Sequence, residues 1–122
     1  MRREDVTGWL ERYVGAWKSG DRAEIEALFS DDARYRYHAY DEPLVGRVAI
    51  ADSWLEDPDP PGSFDASYDC FALEDDDAVA IGTSTYFGAD AGVDRVYDNI
   101  FALRFDAEGR CSDFTEWYVR RP

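Results

Sequence analysis

Four long segments in the second half of the chain alternate between apolar and polar residues, and this pattern restricts the possible folds most strongly. A period of two residues is typical of β-strands, and strands joined by short turns pair as an antiparallel meander. Turns rich in Asp and Gly separate the segments. The predicted strands are Ser63–Glu74, Ala78–Gly88, Val93–Phe105 and Arg110–Arg120. Such a sheet needs apolar cover on one face.

The first half of the chain provides this cover, because its apolar residues recur at helical spacing. A first helix carries one apolar stripe and ends at Ser19-Gly20, and Asp21 then begins a second helix that ends at Ser30. A short strand is predicted from Ala33 to Tyr40, and a third helix from Arg47 to Leu55. The stripe of the first helix consists of Val6, Trp9, Leu10, Tyr13, Val14 and Trp17. The sequence therefore predicts an α+β fold, as a single domain over residues 1–122.

The last predicted hairpin, which turns at Glu108-Gly109, indicates which face of the sheet is covered. Residues on one face of a strand lie beside residues of the same face on its partner. The predicted inner face carries Asn99, Phe101, Leu103, Phe105, Ser112, Phe114, Glu116 and Tyr118. The outer face pairs Arg104 with Asp113 and also carries Ile100 and Trp117. Because two large apolar side chains there need cover, we expect a homodimer through this face.

Charge and composition exclude several functions. The net charge is −14, from 27 acidic and 13 basic residues, so nucleic acid and anionic membrane surfaces are not expected partners. We expect a cytoplasmic location, because the N-terminus lacks the apolar stretch of a signal peptide or membrane anchor. Cys70 and Cys111 are expected to be free, half-buried thiols. No metal-ligand spacing or Gly-rich phosphate loop is present, so we expect neither metal nor cofactor.

Several short motifs, spread over nearly the whole chain, carry a resemblance to a known superfamily. They are Arg12-Tyr13-Val14, Gly20-Asp21, Ala27-Leu28-Phe29, Asp31-Asp32-Ala33, Gly46, Ala49-Ile50 and the hairpin from Phe105 to Tyr118. Together they resemble the nuclear-transport-factor-2-like superfamily, and within it the SnoaL-like proteins and steroid Δ-isomerases. The resemblance implies a cone-shaped domain, usually dimeric, with a pocket between a curved antiparallel sheet and the helices. The scaffold hosts both enzymes and binding domains, so it leaves the activity open.

The resemblance also bears on the reaction. The isomerases use a base aspartate together with a tyrosine and a neutral aspartic acid that stabilise the enolate oxygen. Their pattern keeps the tyrosine in this chain, at Tyr13, whereas the base falls at Tyr37 and the neutral acid at Phe101. Phenol is a poor base near pH 7, and a phenyl ring donates no hydrogen bond. Isomerisation by that mechanism is therefore not expected.

Glu116 is the most informative candidate, because a carboxylate facing an aromatic cavity needs a partner or a function. We expect it to form a hydrogen bond with Asn99 or a tyrosine rather than an ion pair with an arginine. The reason is that Arg95 lies near the start of its strand and Arg104 points outward. His38 is expected at the rim or the surface. The predicted ligand-binding residues are Tyr13, Trp17, Tyr37, Trp54, Asn99, Phe101, Glu116 and Tyr118. A mostly apolar or aromatic, oxygen-bearing ligand fits these walls.

Two functions remain open from the sequence. The first is a domain that binds such a ligand without chemistry. The second is a cofactor-independent enzyme of the isomerase, dehydratase, cyclase or hydrolase type, in which Glu116, Tyr13 and Tyr37 transfer protons.

Overall fold

The computed structural model describes all residues from 1 to 122 and contains three helices and six strands. The helices are α1 (Arg3–Ser19), α2 (Arg22–Ala27) and α3 (Arg47–Glu56). The strands are β1 (Phe29–Arg36), β2 (Leu44–Val45), β3 (Phe64–Glu74), β4 (Asp77–Phe87), β5 (Val93–Phe105) and β6 (Cys111–Arg120). The α+β class and the four long strands of the second half are confirmed, each strand within one residue of its predicted bounds.

All six strands belong to one curved, unclosed sheet with the order β2-β1-β6-β5-β4-β3. The meander from β3 to β6 is antiparallel, as predicted. In contrast, β1 pairs with β6 in parallel, with Tyr35 opposite Phe114. This pair was not predicted, because alternation along a strand carries no information about the direction of a distant partner. The last strand thus lies inside the sheet, between β1 and β5.

The predicted boundary between the second helix and the first strand was wrong. The helix α2 ends at Ala27, and β1 runs from Phe29 to Arg36 rather than from Ala33 to Tyr40. The reason is pairing with β6, since the Cys111 amide donates to the carbonyl oxygen of Leu28 and Phe29 lies opposite Cys111. Tertiary hydrogen bonds therefore override the helical spacing of Phe29. The strand β2, only two residues long, is too short to show any periodicity.

The helix α1 packs its predicted stripe into an aromatic core. Trp9 is buried and donates from Nε1 to the carbonyl oxygen of Leu28 at 2.9 Å, which ties α1 to the start of β1. Its ring meets Phe29 and Phe105 edge-on, at centroid distances of 6.0 and 5.6 Å. Such edge-to-face pairs add to the free energy gained by removing the rings from water. The core therefore fixes α1 across the inner face of the sheet.

The closing hairpin has the predicted inner face, with one exception near its turn. Asn99, Phe101 and Leu103 lie opposite Tyr118, Glu116 and Phe114, as expected. A register shift after Arg104 places Cys111 opposite Phe105, so Cys111 rather than Ser112 faces inward and is fully buried. Ser112 instead donates from its hydroxyl to the carbonyl oxygen of Arg104. The thiols are free, although Cys111 is buried rather than half-buried.

Two features of the outer face lie near this hairpin. Arg104 lies opposite Asp113, as predicted, but its guanidinium binds Asp77 on β4 at 2.7 Å. Ile100 and Trp117 lie opposite each other on the outer face, and their exposed fractions are 47% and 46%. Exposed Ile81 and Val119 extend the same apolar surface.

None of the three helices combines the length and apolar character that crossing a membrane requires.

At Gly82, the neighbouring strand β3 leaves no space for a side chain. Gly82 lies opposite Tyr68 in the β3–β4 pair and opposite Asn99 in the β4–β5 pair. A Cβ atom at this position would overlap the carbonyl oxygen of Ser67 and would lie 2.6 Å from Cδ1 of Tyr68. Only glycine leaves space for the neighbouring backbone and the Tyr68 ring.

Candidate functional site

A cavity of about 300 Å³ lies on the inner face of the sheet, between the strands and the helices α1 and α3. This volume is at the lower end of the range for small-molecule pockets. Nine aromatic side chains line the cavity, and they come from both helices and from every long strand. They are Tyr13, Trp17, Tyr35, Tyr37, Trp54, Tyr68, Tyr86, Tyr97 and Tyr118. Seven of the nine are tyrosines, so the wall combines ring faces with hydroxyl groups.

The structure brings seven of the eight predicted ligand-binding residues to this cavity. They are Tyr13, Trp17, Tyr37, Trp54, Asn99, Glu116 and Tyr118. Phe101 is the exception, because it does not line the cavity. Its exposed fraction is 1%, because Tyr13 and Tyr68 cover it at centroid distances of 5.4 and 4.6 Å. Phe101 therefore supports the floor of the cavity from below.

Glu116 is held by a short chain of hydrogen bonds. The amide Nδ2 of Asn99 donates to Oε2 of Glu116 at 2.8 Å, and Ser84 Oγ donates to the amide oxygen of Asn99 at 3.0 Å. Ser84 and Asn99 are buried on β4 and β5, so these two strands position the carboxyl group of β6. Glu116 forms a hydrogen bond with Asn99, as the sequence predicted.

Burial raises the pKa of Glu116 from its usual value of 4.5 to about 7. Removal of a carboxylate from water disfavours its charged form, whereas the Asn99 hydrogen bond and the nearby His38 act in the opposite direction. No arginine or lysine forms an ion pair with Glu116. The group therefore exchanges its proton near neutral pH, as a general acid or base must.

The tyrosines around Glu116 remain protonated. Burial raises the pKa values of Tyr13 and Tyr35 well above the usual 10, and it also raises that of Tyr37. The negative charge of Glu116 adds to the shift in all three. The Tyr37 hydroxyl lies 2.8 Å from Oγ of Ser53. These hydroxyls can therefore donate hydrogen bonds, and they cannot serve as bases at neutral pH.

At the rim, His38 connects a loop to the last strand. Its Nδ1 lies 2.9 Å from Oδ2 of Asp41, and its Nε2 lies 2.9 Å from the hydroxyl of Tyr118. A carboxylate accepts a hydrogen bond from Nδ1–H, which leaves Nε2 of a neutral ring free to accept one from Tyr118. Tyr118 lines the cavity with an exposed fraction of 45%. His38 therefore lies at the rim, but it contacts a residue of the site.

Two more contacts shape the opening of the cavity. Trp17 stacks on Phe64 at 3.9 Å and donates from Nε1 to Asp59 Oδ2 at 3.0 Å, which joins α1 to the connector after α3. Next to this pair, the Arg95 guanidinium lies 4.2 Å from the ring centroid of Tyr86, which contacts both Trp17 and Phe64. Within the chain, no cluster of three or more histidine, cysteine or acidic side chains could hold a metal ion.

The sequence prediction missed fourteen of the 21 lining residues, among them Tyr35, Tyr68, Ser84, Tyr86 and Tyr97. A usable signal exists for Tyr68, which continues the alternation of Phe64 and Ala66 along β3. Every second residue of β3 from Phe64 to Tyr68 lies on the inner face of the sheet. On the neighbouring strand β4, Ser84 and Tyr86 pair with residues of this set and lie on the same face. The two-residue turn at Asp75-Asp76 would have placed Ser84 and Tyr86 on the other face, because a bulge between Cys70 and Ala72 shifts the register of β3 and β4 by one residue.

Comparison with known proteins agrees with this architecture. The sequence profile of the SnoaL-like domain matches residues 10–114. The chain belongs to the SnoaL-like family. Members of this family bind small molecules or act as cofactor-independent enzymes.

Two solved structures illustrate the fold of this SnoaL-like domain. One is an NTF-2 like protein of unknown function from Burkholderia xenovorans LB400, with a TM-score of 0.72 and 20% identity; the match covers 98% of this chain and 86% of that one. The other is a putative ketosteroid isomerase from Kribbella flavida DSM 17836, with a TM-score of 0.71 and 17% identity; the match covers 98% of this chain and 82% of that one. At such low identities the likeness shows a shared fold only.

Proposed function

We propose that this SnoaL-like domain binds a small, mostly apolar or aromatic molecule that carries oxygen. The observation that supports this most is Glu116 itself, a carboxyl group in an aromatic cavity with no basic side chain bound to it. A core packed for stability alone seldom contains such a group, because burying it costs free energy. The tyrosine hydroxyls nearby offer hydrogen bonds to a ligand oxygen, and the rings offer apolar contact.

Ligand capture tests this proposal. The protein is incubated with a small-molecule extract, freed of unbound compounds and denatured, and the released molecules are identified by mass spectrometry. We expect the wild type to retain a specific compound, and Trp17→Ala to lose about tenfold or more in affinity, because this ring forms one wall of the cavity.

The matched control is Trp117→Ala, which removes the same ring from the outer face, where it takes no part in the cavity. This variant should retain the compound. Equal retention by both variants, or none by the wild type, would contradict binding in the cavity. Circular dichroism of the variants establishes that each is folded.

A second candidate function is a cofactor-independent enzyme, and the pKa of about 7 for Glu116 favours it specifically. In such an enzyme Glu116 would remove and return a proton, while Tyr13 and Tyr37 would donate hydrogen bonds to the developing negative charge. The captured compound distinguishes the two functions: recovery of the unchanged molecule after long incubation supports binding, and appearance of a product supports catalysis.

For the assembly, we propose a homodimer through the outer face of the sheet. The outer face of the sheet carries an apolar surface that is exposed to water in a single chain. It consists of Ile100 and Trp117, each about half exposed, together with Ile81 and Val119. The two free thiols support a reducing compartment, and we propose the cytoplasm.

The dimer is testable by sedimentation. The wild type should sediment as a dimer that buries about 1,600 Å² in total, and Trp117→Arg should sediment as a monomer because it places a charge in the apolar interface. Val48→Arg is the control, since Val48 is exposed on α3 and lies away from this face. A monomeric wild type at high concentration would contradict the proposal.

A further inference from the structure

Charges are distributed unevenly around the cavity. Three acidic residues line it, Asp57, Asp59 and Glu116, against a single basic residue, Arg95. The guanidinium of Arg95 is already occupied, because it binds Asp94 at 2.8 Å and lies over the Tyr86 ring. The whole chain adds a net charge of −14. The electrostatic potential of the cavity therefore favours a positively charged ligand and disfavours an anion.

The aromatic wall adds to this preference. The face of a tyrosine or tryptophan ring carries partial negative charge, and it attracts a cation within about 6 Å of its centroid. Nine such rings surround the cavity. One of them already binds a cation, since the Arg95 guanidinium lies 4.2 Å from the centre of Tyr86.

Glu116 supplies the point of attachment. Asn99 occupies only Oε2 of this carboxyl group, and no basic side chain neutralises it. A buried carboxylate without a cation lies in an unfavourable environment, and a bound cation would relieve it.

On these three grounds we propose that the ligand is an oxygen-bearing organic amine, whose ammonium group binds beside Glu116 while its apolar body lies against the tyrosine and tryptophan rings. This inference rests on the proposed function above and specifies its ligand class. The ammonium group forms a charge-assisted hydrogen bond with the carboxylate, and its remaining surface faces the rings.

We expect the affinity for the amine to depend on pH. An ammonium group binds the ionised form of Glu116, so amine affinity should rise as the pH increases through about 7. The tyrosines that face Glu116 have raised pKa values and remain neutral over this range; they are Tyr13, Tyr35, Tyr37, Tyr68, Tyr86 and Tyr118. His38 is the other titratable neighbour, and it already binds Asp41 and Tyr118.

Three oxygen-bearing probes of the same shape test the inference at pH 8: tyramine, a cation; tyrosol, a neutral alcohol; and 4-hydroxyphenylacetate, an anion. Affinities are measured by calorimetry. The amine should bind about tenfold more tightly than the alcohol, and the anion most weakly. Glu116→Gln should remove the preference for the amine and leave the affinity for the alcohol nearly unchanged, whereas His38→Gln should retain the rise between pH 6 and 8.

The outcomes separate the two proposals. If the alcohol binds as tightly as the amine, or if Glu116→Gln binds the amine as well as the wild type does, the amine inference is overturned while the binding pocket stands. If none of the probes binds even at millimolar concentration, the amine inference is overturned, and ligand capture decides the proposed function separately. The order of the three affinities measured with the wild type tests the amine inference even if Glu116→Gln does not fold.

Discussion

Replacement of Glu116 by glutamine is expected to stabilise the protein at pH 8 and to have little effect at pH 4.5. The pKa of this carboxyl group rises from 4.5 in the unfolded chain to about 7 in the folded protein. Each unit corresponds to about 1.4 kcal/mol, and because water reaches part of the side chain we expect a gain of about 2 kcal/mol. Glutamine has nearly the same shape, and its amide oxygen can still accept the hydrogen bond from Asn99.

The free energy of unfolding depends on pH because the folded and unfolded states bind different numbers of protons at Glu116. Below pH 4.5 the carboxyl group is protonated in both states, and its contribution is fully present. Between pH 4.5 and about 7 the folded protein keeps a proton that the unfolded chain has lost, so this contribution to stability falls as the pH rises. Above pH 7 the group is ionised in both states, and the free-energy cost of the buried charge stays constant.

The measurement is the free energy of unfolding in urea at both pH values. Glu11→Gln on the exposed surface of α1 serves as the control, and its effect should be the same at pH 4.5 and pH 8. An effect of Glu116→Gln that does not change with pH would contradict a raised pKa, and it would weaken both roles proposed for this residue.

Gly82→Ala is expected to destabilise the fold by about 3 kcal/mol and to lower the melting temperature by about 10 °C. The added methyl group would lie 2.7 Å from the Cα atom of Tyr68 and would also overlap the carbonyl oxygen of Ser67. Backbone atoms of a paired strand cannot move away without breaking hydrogen bonds on both sides of β4. Thermal unfolding followed by circular dichroism measures the change.

Gly15→Ala is the matched control for this substitution. Gly15 lies within α1, and a Cβ atom there would contact nothing within 4 Å. Alanine should stabilise the helix by about 0.5–1 kcal/mol. A wild-type melting temperature in Gly82→Ala would show that β3 and β4 are separated more widely at this point than described.

Local patterns in the sequence predicted those parts of the fold that depend on neighbours along the chain. The stripe of α1, the four long strands and the inward direction of Glu116 all follow from spacing, and the structure agrees with each of them. The end of α2 and the parallel pairing of β1 could not be predicted in this way. Both depend on β6, which lies about eighty residues away along the chain.

The same distinction holds for the candidate site. Parity along the last hairpin identified Asn99, Glu116 and Tyr118, because a strand's two faces are set by its own sequence. Phe101 has the same parity but is covered by Tyr13 and Tyr68, and cover by other elements does not appear in a strand's alternation. Depth within a face therefore separates a residue that can contact a ligand from a core residue, and this depth depends on packing by both a helix and another strand.

The central position of β6 has a consequence for how this chain acquires its shape during synthesis. The helical part and the β3–β5 meander are both translated before β6, yet β6 is the only strand that joins β1 to β5. Until residues 111–120 leave the ribosome, the β1–β2 and β3–β5 parts of the sheet therefore remain unjoined, each with an open strand edge. Folding should then be completed late, by contacts between distant parts of the chain, and such topologies fold slowly and aggregate more readily.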